Sequence, residues 1–423
     1  MVRTLPGLVP RRLQAVAEGR LREEPVVALQ GPRTVGKSTL LRNIADARGV
    51  PVFDLDDLAT RDAVAADPGL FVGGREPVCI DEYQHVPAVL DAIKAELNRD
   101  LHPGRFVLTG STRYEALPEA AQALTGRLHL ISVYPLSQGE IDGVREHFLE
   151  HVFHNARAAV AALGDSQTLR DEYIDRVTAG GMPLVLSRGE AARGRWIDDY
   201  VTLILERDVR ELASIRQRAQ LPRLLVRLAG QTGQVLNISS AARDVRMDIQ
   251  TAENYARLLE AVFLIQRLPA WGTTLRARAA ASPKIHIVDS GVAARLLRLT
   301  PAKLAQLNPI SLSQLGHLLE SFAVFEIIKQ ATWLDGIAGI GHWRTHDGDE
   351  VDLVVERDDG RVVAFEIKAG TRVPGDDFKG LRKLRNAVGD AFLSGVALYL
   401  GQRAYTFEDR LHVMPLDRLW AEL

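Results

Sequence analysis

Val26-Val27-Ala28-Leu29-Gln30-Gly31-Pro32-Arg33-Thr34-Val35-Gly36-Lys37-Ser38-Thr39-Leu40-Leu41 is the stretch on which the reading turns. A short apolar run leads into the pattern G-x-x-x-x-G-K-[ST], and residues with helical spacing (Leu40, Leu41, Ile44, Ala45) follow. Strand, glycine-bearing loop and helix, in that order, make a cradle for phosphate. The glycines let backbone N–H groups turn inward around phosphate oxygens, and the helix start adds partial positive charge. Lys37 is expected to neutralise the β and γ phosphates, and the Ser38 hydroxyl to ligate Mg²⁺. The expected ligand is a nucleoside triphosphate, ATP with Mg²⁺, held by Gly31, Pro32, Arg33, Thr34, Val35, Gly36, Lys37, Ser38 and Thr39.

Val78-Cys79-Ile80-Asp81-Glu82 supplies the second half of such a site. An apolar strand ending in two acids delivers Asp81 to the metal and sets Glu82 beside it to polarise the attacking water. Phe106-Val107-Leu108-Thr109-Gly110-Ser111 ends another strand in hydroxyls, so Thr109 or Ser111 is a candidate γ-phosphate sensor; an ordinary strand-to-turn transition is the competing reading. Arg127, in Leu124-Thr125-Gly126-Arg127, is a candidate arginine finger, against a plain surface arginine. A finger acting on a neighbour's nucleotide requires a homo-oligomer. Cys79 lies between apolar strand residues and reads as core filling.

Outward from the loop, short apolar runs alternate with helical segments. Val26–Gln30, Val52–Leu55, Val78–Asp81, Phe106–Thr109 and Leu128–Val133 read as strands, with helices over Pro10–Gly19, Lys37–Ala47 and Val89–Leu97. That alternation predicts a parallel sheet covered by helices on both faces. From Glu140 to about Glu211 the chain reads as helices, with a break at Gly180-Gly181-Met182-Pro183. Linkers are expected near Val133–Glu140 and Trp271–Pro283.

Leu221–Gly233, Ile238–Asp244 and Asp248–Leu259 read as three helices, and Phe263–Leu268 as one strand of a wing. The third helix would present Gln250, Thr251, Asn254 and Arg257 to base edges and phosphates, with Arg243, Arg246, Arg267, Arg276 and Arg278 nearby. A module that only packs against its neighbours is the alternative. Further on, Glu320 lies in an amphipathic helix, Asp352 in a strand, and Glu366 and Lys368 on one face of another strand. Acids converging from neighbouring strands suit Mg²⁺, and a lysine beside them suits metal-assisted phosphodiester hydrolysis. Glu320, Asp352 and Glu366 are therefore the candidate metal ligands and Lys368 the candidate catalytic base or water-orienting group. Leu381-Arg382-Lys383-Leu384-Arg385 forms a short basic helix face.

These residues resemble a bacterial AAA-type (AAA+) ATPase family whose C-terminal half carries a domain of unknown function, number 4143. The resemblance rests on Gly31–Leu41, Cys79–Glu82, Leu108–Ser111, Gly126–Arg127, Tyr134–Leu136, Gly180–Pro183, Glu206-Arg207-Asp208, Asp289–Gly291 and Glu366–Lys368. It implies an α/β fold with a P-loop AAA-type core over 1–137, a helical region over 138–220, a winged-helix-like module over 221–275 and a C-terminal domain over 276–423. The order Glu-bearing helix, Asp, Glu-x-Lys resembles the restriction-endonuclease-like fold. Thr109 stands where many AAA-type enzymes place Asn.

A formal net charge of −2 excludes a generally basic polyanion binder, so any nucleic-acid surface must be a local patch. A single cysteine excludes an intrachain disulfide. No stretch approaches the ~18 apolar residues that span a bilayer, so a cytoplasmic chain without membrane contact is expected. Two functions fit best. One is an ATP-dependent enzyme acting on DNA or another nucleic acid, with a Mg²⁺-dependent nuclease site near its C-terminus. The other is a nucleotide-gated switch that binds DNA or a protein partner without cutting. A mechanical remodeller of protein complexes has no substrate-threading loop to support it.

Overall fold

Apolar runs too short for helices become five parallel strands in the computed structural model, which describes residues 7–116, 124–162, 164–212, 218–274 and 282–422. They are β1 Val26–Gln30, β2 Val52–Asp54, β3 Val78–Asp81, β4 Phe106–Gly110 and β5 Leu128–Ser132, in the order β2-β3-β4-β1-β5. Every residue of β1, β3 and β4 is buried, as the unbroken apolar runs require of strands covered on both faces. The register sets Gln30 level with Gly110 and Ser132, so the loops after β1 and β4 open at one edge. Ligand sites in open parallel sheets form at that edge. The helix Lys37–Asp46 starts there, with Gly36 at φ 97° as its left-handed entry residue. A Cβ on Gly31 would come within 2.1 Å of the Val133 carbonyl oxygen, so only glycine lets the loop turn so close to the segment after β5.

That segment, expected as a linker, is a buried junction. Val133 N–H donates to the Gln30 carbonyl (2.7 Å), Leu136 N–H to the Gly181 carbonyl (2.8 Å), and Lys329 Nζ to the Leu136 carbonyl (3.0 Å). Chain crossing between units is cheap in sequence composition and dense in hydrogen bonds, which is why composition misled. Beyond it run the helices Arg170–Ala179 and Glu190–Leu203, the latter continued by a π-helical turn, Ile204–Asp208.

A three-helix unit follows, Leu221–Ala229, Ile238–Asp244 and Ile249–Ala261, with the antiparallel strands β6 Gln234–Val235, β7 Ile265–Leu268 and β8 Lys284–Ile287 in the order β6-β8-β7. Asp248 caps the third helix by accepting from Thr251 N–H. The last unit is a mixed sheet of β9 Ile337–Arg344, β10 Glu350–Arg357, β11 Val362–Lys368, β12 Phe392–Tyr399, β13 Tyr405–Glu408 and β14 Leu411–Pro415, ordered β13-β14-β12-β11-β10-β9. Alternation divides its side chains between two cores. Leu353, Val355, Val363 and Phe365 join the large core, while Val354, Val362 and Ala364 pack with Leu381 and Leu384 of the helix Lys379–Val388.

Two observations depart from a division by sequence order. The helical stretch Phe148–Ala162, broken at Asn155, packs against β11, β12 and β14; the Phe148 ring lies 6.0 Å from that of Phe365. The start of the second expected linker is tied down as well, because Trp271 N–H donates to the His342 carbonyl (2.6 Å) and His342 N–H to the Pro269 carbonyl (3.0 Å). Residues 275–281 of that linker, including Arg276 and Arg278, lie outside the described residues. One continuous apolar core runs from Leu13 to Trp420. No helix among the described residues is long and apolar enough to cross a membrane.

Candidate functional site

The phosphate loop is arched over its own lysine. Lys37 is 3% exposed, and its ammonium donates to the Gly31 carbonyl (3.0 Å) and the Pro32 carbonyl (2.8 Å). Burial holds its pKa below the ordinary lysine value, against the pull of Glu82. The loop is fixed from outside by Arg11, a residue that belongs to no motif. Its guanidinium donates to the Val35 carbonyl, to the Tyr134 carbonyl (2.8 Å) and to Glu140 Oε1 (3.1 Å).

Asp81 and Glu82 stand at the end of β3, both buried. Burial raises the Asp81 pKa, while hydrogen bonds from Thr109 and Ser38 pull the other way. Ser38 and Asp81 thus meet as a hydroxyl and a carboxylate, hard oxygens that fit Mg²⁺. Among the described residues no three acids, histidines or cysteines are grouped to hold a metal by themselves. Mg²⁺ in nucleotide sites takes its remaining ligands from phosphates and water. Glu82 accepts from Ser111 Oγ (2.7 Å) and from Gln84 Nε2. Burial pushes its carboxyl up, but Lys37, Arg33 and those two hydrogen bonds outweigh burial and leave it below the ordinary value. Thr109 Oγ1 donates to Asp81 and accepts from Glu82 N–H (3.2 Å), so both hydroxyl residues at the end of β4 brace the acid pair.

Arg127 is not brought to this edge. It precedes Leu128, whose partner is Val26 at the start of β1, whereas the phosphate loop follows Gln30 at the other end. Its guanidinium donates to Asn98 Oδ1 (2.7 Å) instead.

Arg33 makes the loop's long-range contact. Its Nε donates to Asp208 Oδ2 (2.6 Å), and its NH1 lies 3.9 Å from Glu82 Oε2 and 4.0 Å from Asp56 Oδ2. Burial opposes the charge, but Asp208, Glu82 and Asp56 outweigh it and raise the pKa above the ordinary arginine value. Asp208 closes the π-helical turn; it is buried, and its Oδ1 has no hydrogen-bond partner among the described residues. Such turns within α-helices are frequent at functional positions.

At the other end of the chain the predicted acids do converge, with an addition. Glu320 (9% exposed), Asp352 (4%) and Glu366 (7%) are buried. Lys284, at the start of β8, is 1% exposed and donates to Glu320 Oε1 (2.7 Å) and Asp352 Oδ1 (2.9 Å). Ile367 N–H donates to Asp352 Oδ2 (2.9 Å), and Lys368 to Glu366 Oε1 (2.8 Å). Burial would raise Asp352, yet Lys284 outweighs it and holds this carboxyl below its usual range. Burial, and then Asp352, push Glu366 up to about 8 and Glu320 well above its ordinary value. The signal for Lys284 was a charge inside Lys284-Ile285-His286-Ile287, where a buried lysine demands an acid.

The basic helix face is neutralised within the fold: Arg382 pairs with Glu408 (2.9 Å) and Lys379 with Asp349 (2.7 Å). On the helix Ile249–Ala261, Gln250, Asn254 and Arg257 are exposed and Thr251 half-buried, while Arg257 pairs with Glu253 (3.3 Å).

Three family models match successive stretches of the chain. Residues 23–142 match the AAA domain family, residues 170–303 a domain of unknown function (DUF8612), and residues 315–419 a domain of unknown function (DUF4143). An uncharacterized protein of Mycobacterium tuberculosis is 29% identical over 418 residues, 97% of this chain and 85% of its own length. One of Haemophilus influenzae is 25% identical over 305 residues, 69% of this chain and 66% of its own. Among solved structures, a Walker-type ATPase of Pyrococcus abyssi is 15% identical with a TM-score of 0.42, covering 68% of this chain and 96% of that one.

Proposed function

We propose that this chain, an AAA-type P-loop ATPase domain joined to a C-terminal domain of unknown function 4143, is an ATP-hydrolysing switch whose helical middle region reads the nucleotide through Arg33 and Asp208. The observation that carries this reading is the 2.6 Å contact between the phosphate-loop arginine and a buried acid 175 residues away. An incoming γ-phosphate offers Arg33 a bidentate anion that competes with Asp208. Withdrawal of Arg33 leaves Asp208 buried without its cation, a state that favours rearrangement of the turn Ile204–Asp208.

In the hydrolytic step Lys37 and the loop amides bind the β and γ phosphates. Ser38 and Asp81 would hold Mg²⁺, which neutralises phosphate charge when bound. Glu82, oriented by Ser111 and Gln84, takes a proton from water as its oxygen attacks the γ phosphorus. The bond to the bridging oxygen breaks, and the electron pair leaves on ADP. Glu82→Gln should keep ATP binding and lower phosphate release by ~10² or more. Normal turnover in that variant would remove Glu82 from the role. In the same variant, ATP should speed amide exchange in 204–208; unchanged exchange would remove the switch.

The order of helices and strands over 221–287, with Gln250, Thr251, Asn254 and Arg257 on the outer side of the third helix, supports a winged-helix reading and a DNA partner for the switched state. An arginine-finger role for Arg127 needs a second copy of the chain. Turnover per chain that rises with protein concentration, and falls in Arg127→Ala, would establish it. The ammonium of Lys284 between Glu320 and Asp352 counts against the nuclease reading.

A further inference from the structure

The acids Glu320 and Asp352 come from the helix Pro309–Ala331 and from β10, but the cation between them comes from β8, which belongs to the sheet of the preceding three-helix unit. Both oxygens of Asp352 are engaged, one by Lys284 Nζ and one by Ile367 N–H. A Mg²⁺ ion needs its oxygens at ~2.0–2.1 Å in near-octahedral geometry. It would have to take the oxygens that Lys284 holds at 2.7 and 2.9 Å, so ammonium and metal exclude one another. Lys284 is itself 1% exposed, and its strand neighbours Ile285, His286 and Ile287 are all buried, so its backbone is held in the interior beside the two acids. Glu366 is left with Lys368 and one oxygen that finds no partner among the described residues, too little for a metal site.

We infer that Lys284 is a built-in cation standing where a nuclease of this layout would bind its divalent metal. The acids of the C-terminal domain hold the three-helix unit in place instead of holding Mg²⁺. The nuclease-like arrangement is thereby converted into a fastening between two parts of one chain. This inference does not depend on the switch reading, because it concerns a site that ATP does not touch.

The test is Mn²⁺ binding to the full chain without nucleotide, followed by electron paramagnetic resonance and by the Mn²⁺ dependence of Tm. Wild type, Asp352→Asn, Lys284→Ala and the Lys284→Ala/Asp352→Asn double variant are compared. Wild type and Asp352→Asn should bind Mn²⁺ alike. Lys284→Ala should gain a bound Mn²⁺ and an upward Tm shift on adding it, both lost in the double variant. Should Lys284→Ala fold only when Mn²⁺ is supplied, that dependence supports the inference equally. A Mn²⁺ site in wild type that Asp352→Asn removes would overturn it. So would a Lys284→Ala chain that gains no metal, or that fails to fold with or without Mn²⁺.

Discussion

Lys37 and Lys284 are both almost fully buried and both lie near a pair of acids, yet they are held in opposite ways. Lys37 rests on two backbone carbonyls, and burial lowers its pKa; Lys284 rests on two carboxylates, and they raise its pKa against burial. Carbonyls are neutral dipoles that can turn toward water when a better anion arrives. Carboxylates cannot release their cation without leaving charge in the interior. A lysine on carbonyls is thus available to a ligand, and a lysine on carboxylates is spoken for. The same residue type beside the same acids marks a binding site in one domain and a structural joint in the other.

Each end of that contrast can be broken. Lys284→Ala should destabilise the chain by about 3–5 kcal/mol, the usual result of stranding a buried partner, and leave ATP affinity alone; denaturant unfolding and nucleotide titration measure the two. Lys37→Ala should do the reverse, costing ~10²–10³ in ATP turnover with little change in unfolding midpoint. Stability lost at Lys37 and kept at Lys284 would erase the distinction.

Glu146 sharpens it, as a buried acid that received no lysine. It accepts from Gly139 N–H (2.8 Å), and burial pushes its carboxyl from 4.5 to about 7. Because the folded pKa is the higher one, the folded state keeps a proton the unfolded chain has lost. Stability should therefore fall as pH rises from about 4.5 to about 7 and stay lower above that, by about 3 kcal/mol. Glu146→Gln should remove this loss, which unfolding at pH 5 and pH 8 would reveal; identical pH curves for the two proteins would refute it. The smallest effect belongs to Asp208→Asn. Freeing Arg33 from its competitor should tighten ATP binding by about 1 kcal/mol, roughly fivefold; weaker binding would mean that Asp208 positions Arg33 for the phosphates.

What the sequence disclosed follows the reach of its signals. The phosphate loop and the Asp81-Glu82 strand end are contiguous, so spacing alone located them, and all five strands of the parallel sheet fell within a residue or two of the expected bounds. Glu366 and Lys368 were also legible as a pair, because alternation along a strand fixes which side chains share a face, and the resemblance to a nuclease order joined Glu320 and Asp352 to them. Asp208 on Arg33, Arg11 on the phosphate loop and Lys284 on its acids were not. Each pairs residues 24 to 175 positions apart, and nothing local in either partner names the other. Missing Lys284 mattered most: four acids and bases read together suggest a metal, and a fifth charge removes it.

The helical stretch Phe148–Ala162 finds its partners far along the chain, at the helix Pro309–Ala331 and at β11, β12, β13 and β14, and Leu149, Val152, Phe153 and Ala156 belong to the core they share. A ribosome adding ~5–20 residues per second delivers β14 roughly 10–50 s after this stretch has emerged. Until those elements have all emerged, its apolar side is incompletely covered. Birth of the chain thus includes a waiting period in which the parallel sheet is already synthesised while this apolar flank still lies open to water.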